Sequence, residues 1–294
     1  MNWERVPAGG TGIRCRPLPL IAMLWQGLAT QAPLAGLAYL SAPARLLIAE
    51  SDDAVASDLL DRVNRERKSV GLPALCDDGE IRETARRHSA EMMAAGRIYH
   101  DSPITGSSED RLRDVSLFFW KSGENVARGP EAAMIHIGLM ESPPHRENIL
   151  DPGFTHVGIG VVSNGSDLYV TQLFLRVLPK AGPAELVDAA LTKLQKIRGE
   201  RRLLPLRKDM ALVREAERLV EQMYQHDSQQ PESLSPGLSN RSVRIIGCVG
   251  ESPPWETVGE AAGFRWNSVG IGAIQGRSKT WPHGANWYVI LLGD

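Results

Sequence analysis

Hydrophobic residues in the first part of the chain follow a helical period and later the spacing of β-strands. A first amphipathic helix is predicted from apolar residues at helical spacing, namely Val55, Leu59, Leu60 and Val63. Gly71-Leu72-Pro73 ends it. A second helix is predicted to follow, with Asp77 or Asp78 as its N-cap, Gly96 at its end and one stripe formed by Ile81, Ala85, His88 and Met92. Two further apolar runs, 157–162 and 168–174, flank Asn164-Gly165 and predict a β-hairpin.

The second part of the chain repeats these segments in the same order. Leu72-Pro73-Ala74-Leu75 is matched by Leu204-Pro205-Leu206, and the helical stripe of Ile81, Ala85, His88 and Met92 is matched by that of Leu212, Ala216, Leu219 and Met223. The later matches are Glu141-Ser142-Pro143-Pro144-His145 with Glu251-Ser252-Pro253-Pro254-Trp255; Gly153-Phe154 with Gly263-Phe264; and Val157–Val162 with Val269–Ile274. Several matches in one order predict that one domain is duplicated.

The two copies differ where the first carries polar residues. Its segment between Met92 and Glu141 is long, whereas the corresponding segment of the second copy is much shorter. His145 of the first copy is matched by Trp255. We interpret the second copy as degenerate, with a conserved scaffold and a lost polar site. Residues 179–184 are predicted to form a linker, so the predicted domains are 51–178 and 185–294.

Residues 1–50 are predicted to be an export segment. Arg5, Arg14 and Arg16 precede an uncharged stretch from Pro17 to Ala44 that ends in small residues. A basic start, an apolar middle and a small-residue end are typical of a secretory signal. An uncleaved membrane anchor is the alternative, although prolines interrupt the stretch. Both alternatives place the remaining chain outside the cytoplasm, secreted or associated with the envelope, and a cleaved signal leaves no stable transmembrane span.

Composition and cysteines narrow the class of protein. The net charge of −2 gives no global basic field for nucleic acid or for an anionic membrane, and we expect no nucleic-acid partner. Of the three cysteines, Cys15 lies in the predicted signal. An oxidising compartment would permit a bridge between Cys76 and Cys248, but sequence does not fix the distance between them.

Several short motifs of the first copy occur in a fixed order. They are Asn64-x-x-Arg67 with Gly71-Leu72-x-x-Leu75, Ala85-x-x-His88-Ser89-x-x-Met92, Tyr99-His100, Gly123-Glu124-Asn125-Val126-Ala127, Ser142-Pro143-Pro144-His145-Arg146-x-Asn148-Ile149-Leu150, and Phe154-Thr155-His156-Val157-Gly158-Ile159-Gly160. Together they resemble the bacterial branch of the CAP superfamily, which includes cysteine-rich secretory, antigen 5 and pathogenesis-related proteins. The resemblance implies an α+β fold, an α-β-α sandwich with a central antiparallel sheet, here duplicated.

The resemblance also implies a cleft that holds two histidines and acidic partners. In some members this cleft takes up a divalent metal such as zinc. Carried over to this chain, the cleft residues are His100, Glu124 and His145, and the two imidazoles are expected within about 7 Å of each other to share one ion or water. Glu141 is the candidate second acid, although it stands one place from the family position, which is a rotation of about 100° on a helix.

Three functions are consistent with these residues. The main hypothesis is a non-enzymatic extracytoplasmic binding module for a lipid, glycan, peptide or protein. Ser102 and Ser142 beside the histidines keep a metal- or histidine-dependent hydrolase or peptidase as an alternative, although neither lies in a nucleophile elbow. A structural envelope protein is the third. His88 lies on the apolar helical stripe and is predicted to be a buried core residue.

Overall fold

A computed structural model describes residues 51–238 and 240–294, so the predicted export segment lies outside the described residues. Asp52–Asp294 form one compact unit. We call residues 52–178 the first half; its elements are α1 (Asp52–Ser69), β1 (Cys76–Asp77), α2 (Gly79–Ala95), α3 (Ser108–Arg111), β2 (Phe118–Gly129), α4 (Ala132–Glu141), α5 (Pro143–Leu150), β3 (His156–Ser163) and β4 (Leu168–Leu178). We call residues 183–294 the second half; its elements are α6 (Pro183–Glu200), β5 (Arg207–Lys208), α7 (Met210–Gln225), β6 (Val243–Gly250), α8 (Trp255–Ala261), β7 (Ser268–Gly276) and β8 (Ala285–Gly293).

The first half is a three-layer sandwich around a sheet of order β1-β3-β4-β2. Alternate residues of β4 point to opposite faces, so Phe174 packs with α1, α4 and α5, while Leu173 packs with α2. The predicted α+β sandwich is thereby confirmed. Its sheet is antiparallel except at one edge, where the two-residue β1 pairs parallel to β3.

Two glycines of β3 allow α2 to lie directly on the sheet. A methyl group added at Gly160 would lie 2.0 Å from the backbone nitrogen of Arg86, and one at Gly158 would lie 2.2 Å from that of Arg82. Any side chain at these positions would therefore push the helix off the strand. The Val-Gly-Ile-Gly motif is thus a helix-packing surface.

The second half repeats the sheet, with the order β5-β7-β8-β6 and a parallel β5. Its helix α7 starts after Asp209, whose carboxylate accepts hydrogen bonds from two backbone N–H groups, just as Asp78 caps α2. Gly270 and Gly272 lie against the backbone of α7 in the same way. The two halves therefore share their strand order, the cap of the helix and its packing on the sheet. The predicted linker is shorter than expected, because α6 begins at Pro183.

A buried arginine organises the loops in each half. Arg67 donates to the carbonyl oxygens of Pro73, Ile149, Asp151 and Phe154, and Arg198 donates to those of Leu204, Ala262, Gly263 and Trp266. The two arginines are 0% and 2% exposed. Burying a guanidinium is costly unless hydrogen bonds satisfy it, so each of these carbonyl clusters stabilises its buried charge.

These carbonyl partners correct two of the sequence matches. Phe154 and Trp266 hold equivalent places, whereas Phe264 is 90% exposed and does not match Phe154. His145 lies nine residues before Phe154, and Thr257 lies nine residues before Trp266, so His145 aligns with Thr257. The prediction that Trp255 takes the place of His145 is therefore wrong, because Ser-Pro-Pro precedes α8 but overlaps the start of α5.

The two halves contact each other around the start of β2. The Phe119 ring stacks on His283 with 4.3 Å between centroids, and Trp120 stacks on Trp281 at 5.0 Å. The Phe119 N–H donates to the His283 carbonyl, so β2 gains a backbone partner from the second half. The second half thus covers apolar surface of the first.

Two further findings concern the cysteines and the apolar character of the helices. Cys248 is a free thiol, so the considered bridge between Cys76 and Cys248 is wrong, and burial raises the Cys248 pKa to about 11. None of the helices in the described part of the chain combines the length and the apolar composition that a bilayer crossing requires.

Candidate functional site

The candidate cleft lies along β2, the strand at one edge of the first sheet. Glu124 is in the middle of this strand, opposite Leu173 of β4. His100 stands in the loop that follows α2. The short helix α3 is fixed by a capping box in which Ser107 and Asp110 exchange hydrogen bonds, and it ends in Arg111. Sheet, loop and helix thereby bring three charged or titratable groups together.

Glu124 is the centre of this group. Its Oε1 lies 2.9 Å from Nδ1 of His100, and its Oε2 pairs with the guanidinium of Arg111. The side chains of Glu124 and Arg111 are 4% and 3% exposed, whereas that of His100 is 55% exposed. The Arg111 guanidinium also donates to the carbonyls of His100 and Gly106, which fixes the loop. A buried ion pair therefore holds one exposed imidazole in place.

His145 approaches from α5, on the other side of the same strand. Its Nδ1 lies 2.9 Å from the Ser142 hydroxyl, and its carbonyl accepts a hydrogen bond from Asn125. Burial lowers the pKa of His145, and electrostatic repulsion by the nearby His100 ring lowers it further. The two imidazoles are thus close enough to interact electrostatically, and His145 is kept neutral to lower pH.

Buried amides connect the two sides. Asn125 donates to both the His145 carbonyl and Gln172, and Asn148 donates to the Glu124 carbonyl and to Asn125. Asn125 and Gln172 are fully buried, and the Gln172 Nε2 has no partner within the described residues. This network fixes the backbone of β2 at Glu124 and the helix that carries His145.

His88 lies beneath the cleft and is not part of its surface. It is fully buried, with Nε2 2.9 Å from the Tyr99 carbonyl and its ring edge against the Tyr99 ring. Its predicted burial is confirmed. Burial lowers the pKa of His88, and the positive charge of Arg111 contributes to this shift. Its role is to hold the loop of His100 against α2.

The structure does not connect Glu141 to this group. Glu141 is exposed at the last residue of α4, and within the described residues it makes no hydrogen bond to His100, Glu124 or His145. Arg111, by contrast, is a residue that the sequence analysis missed. Its only sequence signal is the Ser107-x-x-Asp110 capping box just before it, which predicts a helix start but no ion pair.

These residues do not fit a three-ligand metal centre as they are placed. Both Glu124 oxygens are taken by His100 and Arg111, and the guanidinium repels a divalent cation at that carboxylate. Across residues 51–238 and 240–294, no group of three His, Cys, Asp or Glu side chains is arranged to hold a metal ion. We therefore derive no chemistry through a metal.

The second half carries apolar residues at the equivalent positions. The strand pairings place Ile245 where the first half has Glu124, Ile246 where it has Asn125, and Ile290 where it has Gln172. Leu219 stands where His88 does, on the equivalent helix. The sheet was kept in the second half, but the polar network was not.

Known proteins resemble the first half. A sequence model described as CAP, the cysteine-rich secretory protein family, matches residues 60–174. The uncharacterized protein YkwD of Bacillus subtilis is 35% identical over 119 residues, which cover 40% of this chain and 46% of that protein. The uncharacterized membrane protein YlbC of the same organism is 34% identical over 122 residues, covering 40% of this chain and 33% of that protein.

A solved structure is also similar. It is an extracellular protein from Bacillus anthracis that contains an SCP domain, with 31% identity, a TM-score of 0.39, and coverage of 42% of this chain and 41% of that one. The chain spans less than half of the length of these Bacillus relatives. The segment that matches the family model contains His100, Glu124 and His145. Residues 60–174 of this chain therefore form a CAP domain of the cysteine-rich secretory protein family.

Proposed function

We propose that the first half is an extracytoplasmic binding module and that its ligand contacts the cleft formed by His100, Glu124 and His145. The observation that supports this proposal most strongly is the exposed imidazole of His100, held by the buried Glu124–Arg111 pair. A solvent-facing side chain that is positioned by a buried ion pair is costly to build for stability alone. The extracellular relative supports an extracytoplasmic location.

The tautomer of His100 indicates what the cleft recognises. Because Nδ1 donates to the Glu124 carboxylate, the Nε2 atom of neutral His100 presents a lone pair to the ligand. Since Arg111 neutralises Glu124, the cleft carries little net negative charge. Hydrogen-bond donors of the ligand, such as hydroxyl or amide groups, suit this arrangement.

Isothermal titration calorimetry tests the proposal with three probes, which are N-acetylglucosamine oligomers, unstructured peptides and lipid vesicles. We expect one of these probes to bind. His100→Ala should weaken that binding at least tenfold, which corresponds to a loss of about 1.4 kcal/mol of binding free energy. His226→Ala is the matched control, because His226 is an exposed histidine that lies 3.3 Å from Glu232 outside the cleft. Failure of all three probes, or equal effects of the two variants, would contradict the proposal.

A hydrolase is the second candidate, and one contact favours it. The Ser142 hydroxyl lies 2.9 Å from His145, whose lowered pKa suits a general base at neutral pH. Hydrolysis of ester or peptide substrates that disappears in both Ser142→Ala and His145→Gln would support it. If turnover survives Ser142→Ala, this serine is only the residue that starts α5.

Zinc binding at His100, Glu124 and His145 stays a prediction of the family resemblance. Zinc would have to displace Arg111 from Glu124, so we expect weak binding that strengthens in Arg111→Met. Titration of chelator-free protein with Zn²⁺, followed by the chemical shifts of the histidine rings, measures this. Tight binding to the unchanged protein would show that the ion pair opens.

A further inference from the structure

A second surface with the features of a ligand site lies on the second half, where the segment between α6 and α7 meets the segment between α8 and β7. We call it the Leu204–Phe264 surface; it consists of Leu204, Phe264 and the arginines around them, Arg202, Arg207 and Arg265. Phe264 is 90% exposed and Leu204 is 82% exposed, the two highest values among the exposed large hydrophobic residues described. They border a depression of about 600 Å³ that is also lined by Arg202, Arg207 and Trp266.

The charge of this surface is locally basic although the whole chain is slightly acidic. Residues 201–208 contain four basic residues and no acid, and Arg265 follows Phe264 directly. The nearest acids in the sequence are Glu200 at the end of α6, Asp209, which caps α7 and pairs with Arg241, and Glu260 on α8. The Arg265 guanidinium lies 4.8 Å from the centre of the Trp266 ring, which holds it beside Phe264.

Backbone strain at Arg202 is an independent sign that this surface is selected for its side chains. Arg202 has a φ of +58°, in the left-handed region that favours glycine. The equivalent residue of the first half, which also follows the first helix, is Gly71 with a φ of +79°. An arginine at this position costs stability relative to glycine, and such strain is typically retained where a side chain is needed.

We propose that the Leu204–Phe264 surface binds the surface of an anionic lipid membrane. The phosphate of a lipid headgroup would occupy the depression and accept hydrogen bonds from Arg202 and Arg207, while Phe264 and Leu204 enter the boundary of the acyl chains. An acidic peptide would satisfy the arginines but would leave two protruding apolar side chains in water. A membrane interface satisfies both, which is why this occupant fits better.

Vesicle sedimentation of the full chain tests the proposal. We expect stronger binding to vesicles of phosphatidylglycerol and phosphatidylcholine than to phosphatidylcholine alone, and a loss of at least tenfold in the Leu204→Ser, Phe264→Ser double variant. Val70→Ser is the matched control, because Val70 is 55% exposed in the equivalent loop of the first half. Arg202→Gly should weaken binding about fivefold while raising the melting temperature, since it removes a charge and the strain together.

A local measurement separates this surface from the apolar stretch at 17–44, which all variants share. Hydrogen exchange of backbone amides at 201–208 and 263–267 should slow when anionic vesicles are added, and exchange at 70–75 and 152–156 should not. The proposal would be overturned if vesicles leave the exchange at 201–208 and 263–267 unchanged. It would also be overturned if the wild type and the double variant sediment equally and those amides stay unprotected. Equal protection by inorganic phosphate alone would assign the site to a free anion and would also overturn it.

Discussion

Arg111→Met tests whether the cleft depends on a buried ion pair. The substitution removes the guanidinium that neutralises Glu124 but keeps an unbranched side chain of similar length. Since the Glu124 side chain is 4% exposed, water cannot replace the lost partner. Removing one member of a buried pair typically costs about 3–5 kcal/mol, and we expect this decrease in the free energy of unfolding.

Urea unfolding followed by far-UV circular dichroism measures this free energy. Adding Glu124→Gln to Arg111→Met removes the buried carboxylate, which in Arg111→Met keeps only His100 as a partner, so the double variant should recover about 2 kcal/mol or more of the loss. Arg113→Met is the control, because the Arg113–Asp110 pair is 65% and 45% exposed and should leave stability unchanged within error. Equal effects of Arg111→Met and Arg113→Met would refute the idea that Glu124 is a buried charge.

Three further perturbations test the scaffold. Because burial lowers the pKa of His88, the unfolded chain binds a proton at this residue before the folded chain does as the pH falls through about 6.5, and stability decreases below that pH. His88→Leu should therefore reduce the difference in melting temperature between pH 7 and pH 5. An unchanged difference would contradict this explanation. Gly160→Ala should destabilise by about 1–3 kcal/mol or more in urea unfolding, whereas Gly138→Ala, at a helical position with open space, should stabilise by about 0.5–1 kcal/mol. Truncation after Leu178 should expose Phe119 and cause self-association in size-exclusion chromatography with light scattering; a monomeric, equally stable fragment would show that the halves are independent.

Local patterns in the sequence were sufficient for much of the fold. Helical spacing located α2 and α7, and Asp78 and Asp209 cap these helices as carboxylates at helix starts do. Asn164-Gly165 falls between β3 and β4. These features depend on neighbouring residues, so one sequence window contains the information. The burial of His88 followed from the same periodicity.

Residues far apart in the chain were decided by the tertiary structure. His100 and Glu124 meet because a loop folds over the edge strand, and Arg111 joins them through a helix of four residues that gives almost no sequence signal. Glu141, one position from the family pattern, is exposed instead. On a helix each residue turns the side chain by about 100°, so a shift of one position changes its surroundings.

The repeat shows the same division between sequence and structure. The order of its segments was evident from the sequence alone, but their alignment at α8 was wrong by two residues, so that Phe264 was matched with Phe154. Only the carbonyl partners of Arg67 and Arg198 fix that alignment and show Trp266 as the equivalent residue. Sequence thus determined which elements form, because that choice is local. Which side chains face each other was decided by packing, because a buried charge selects its partners by distance in space.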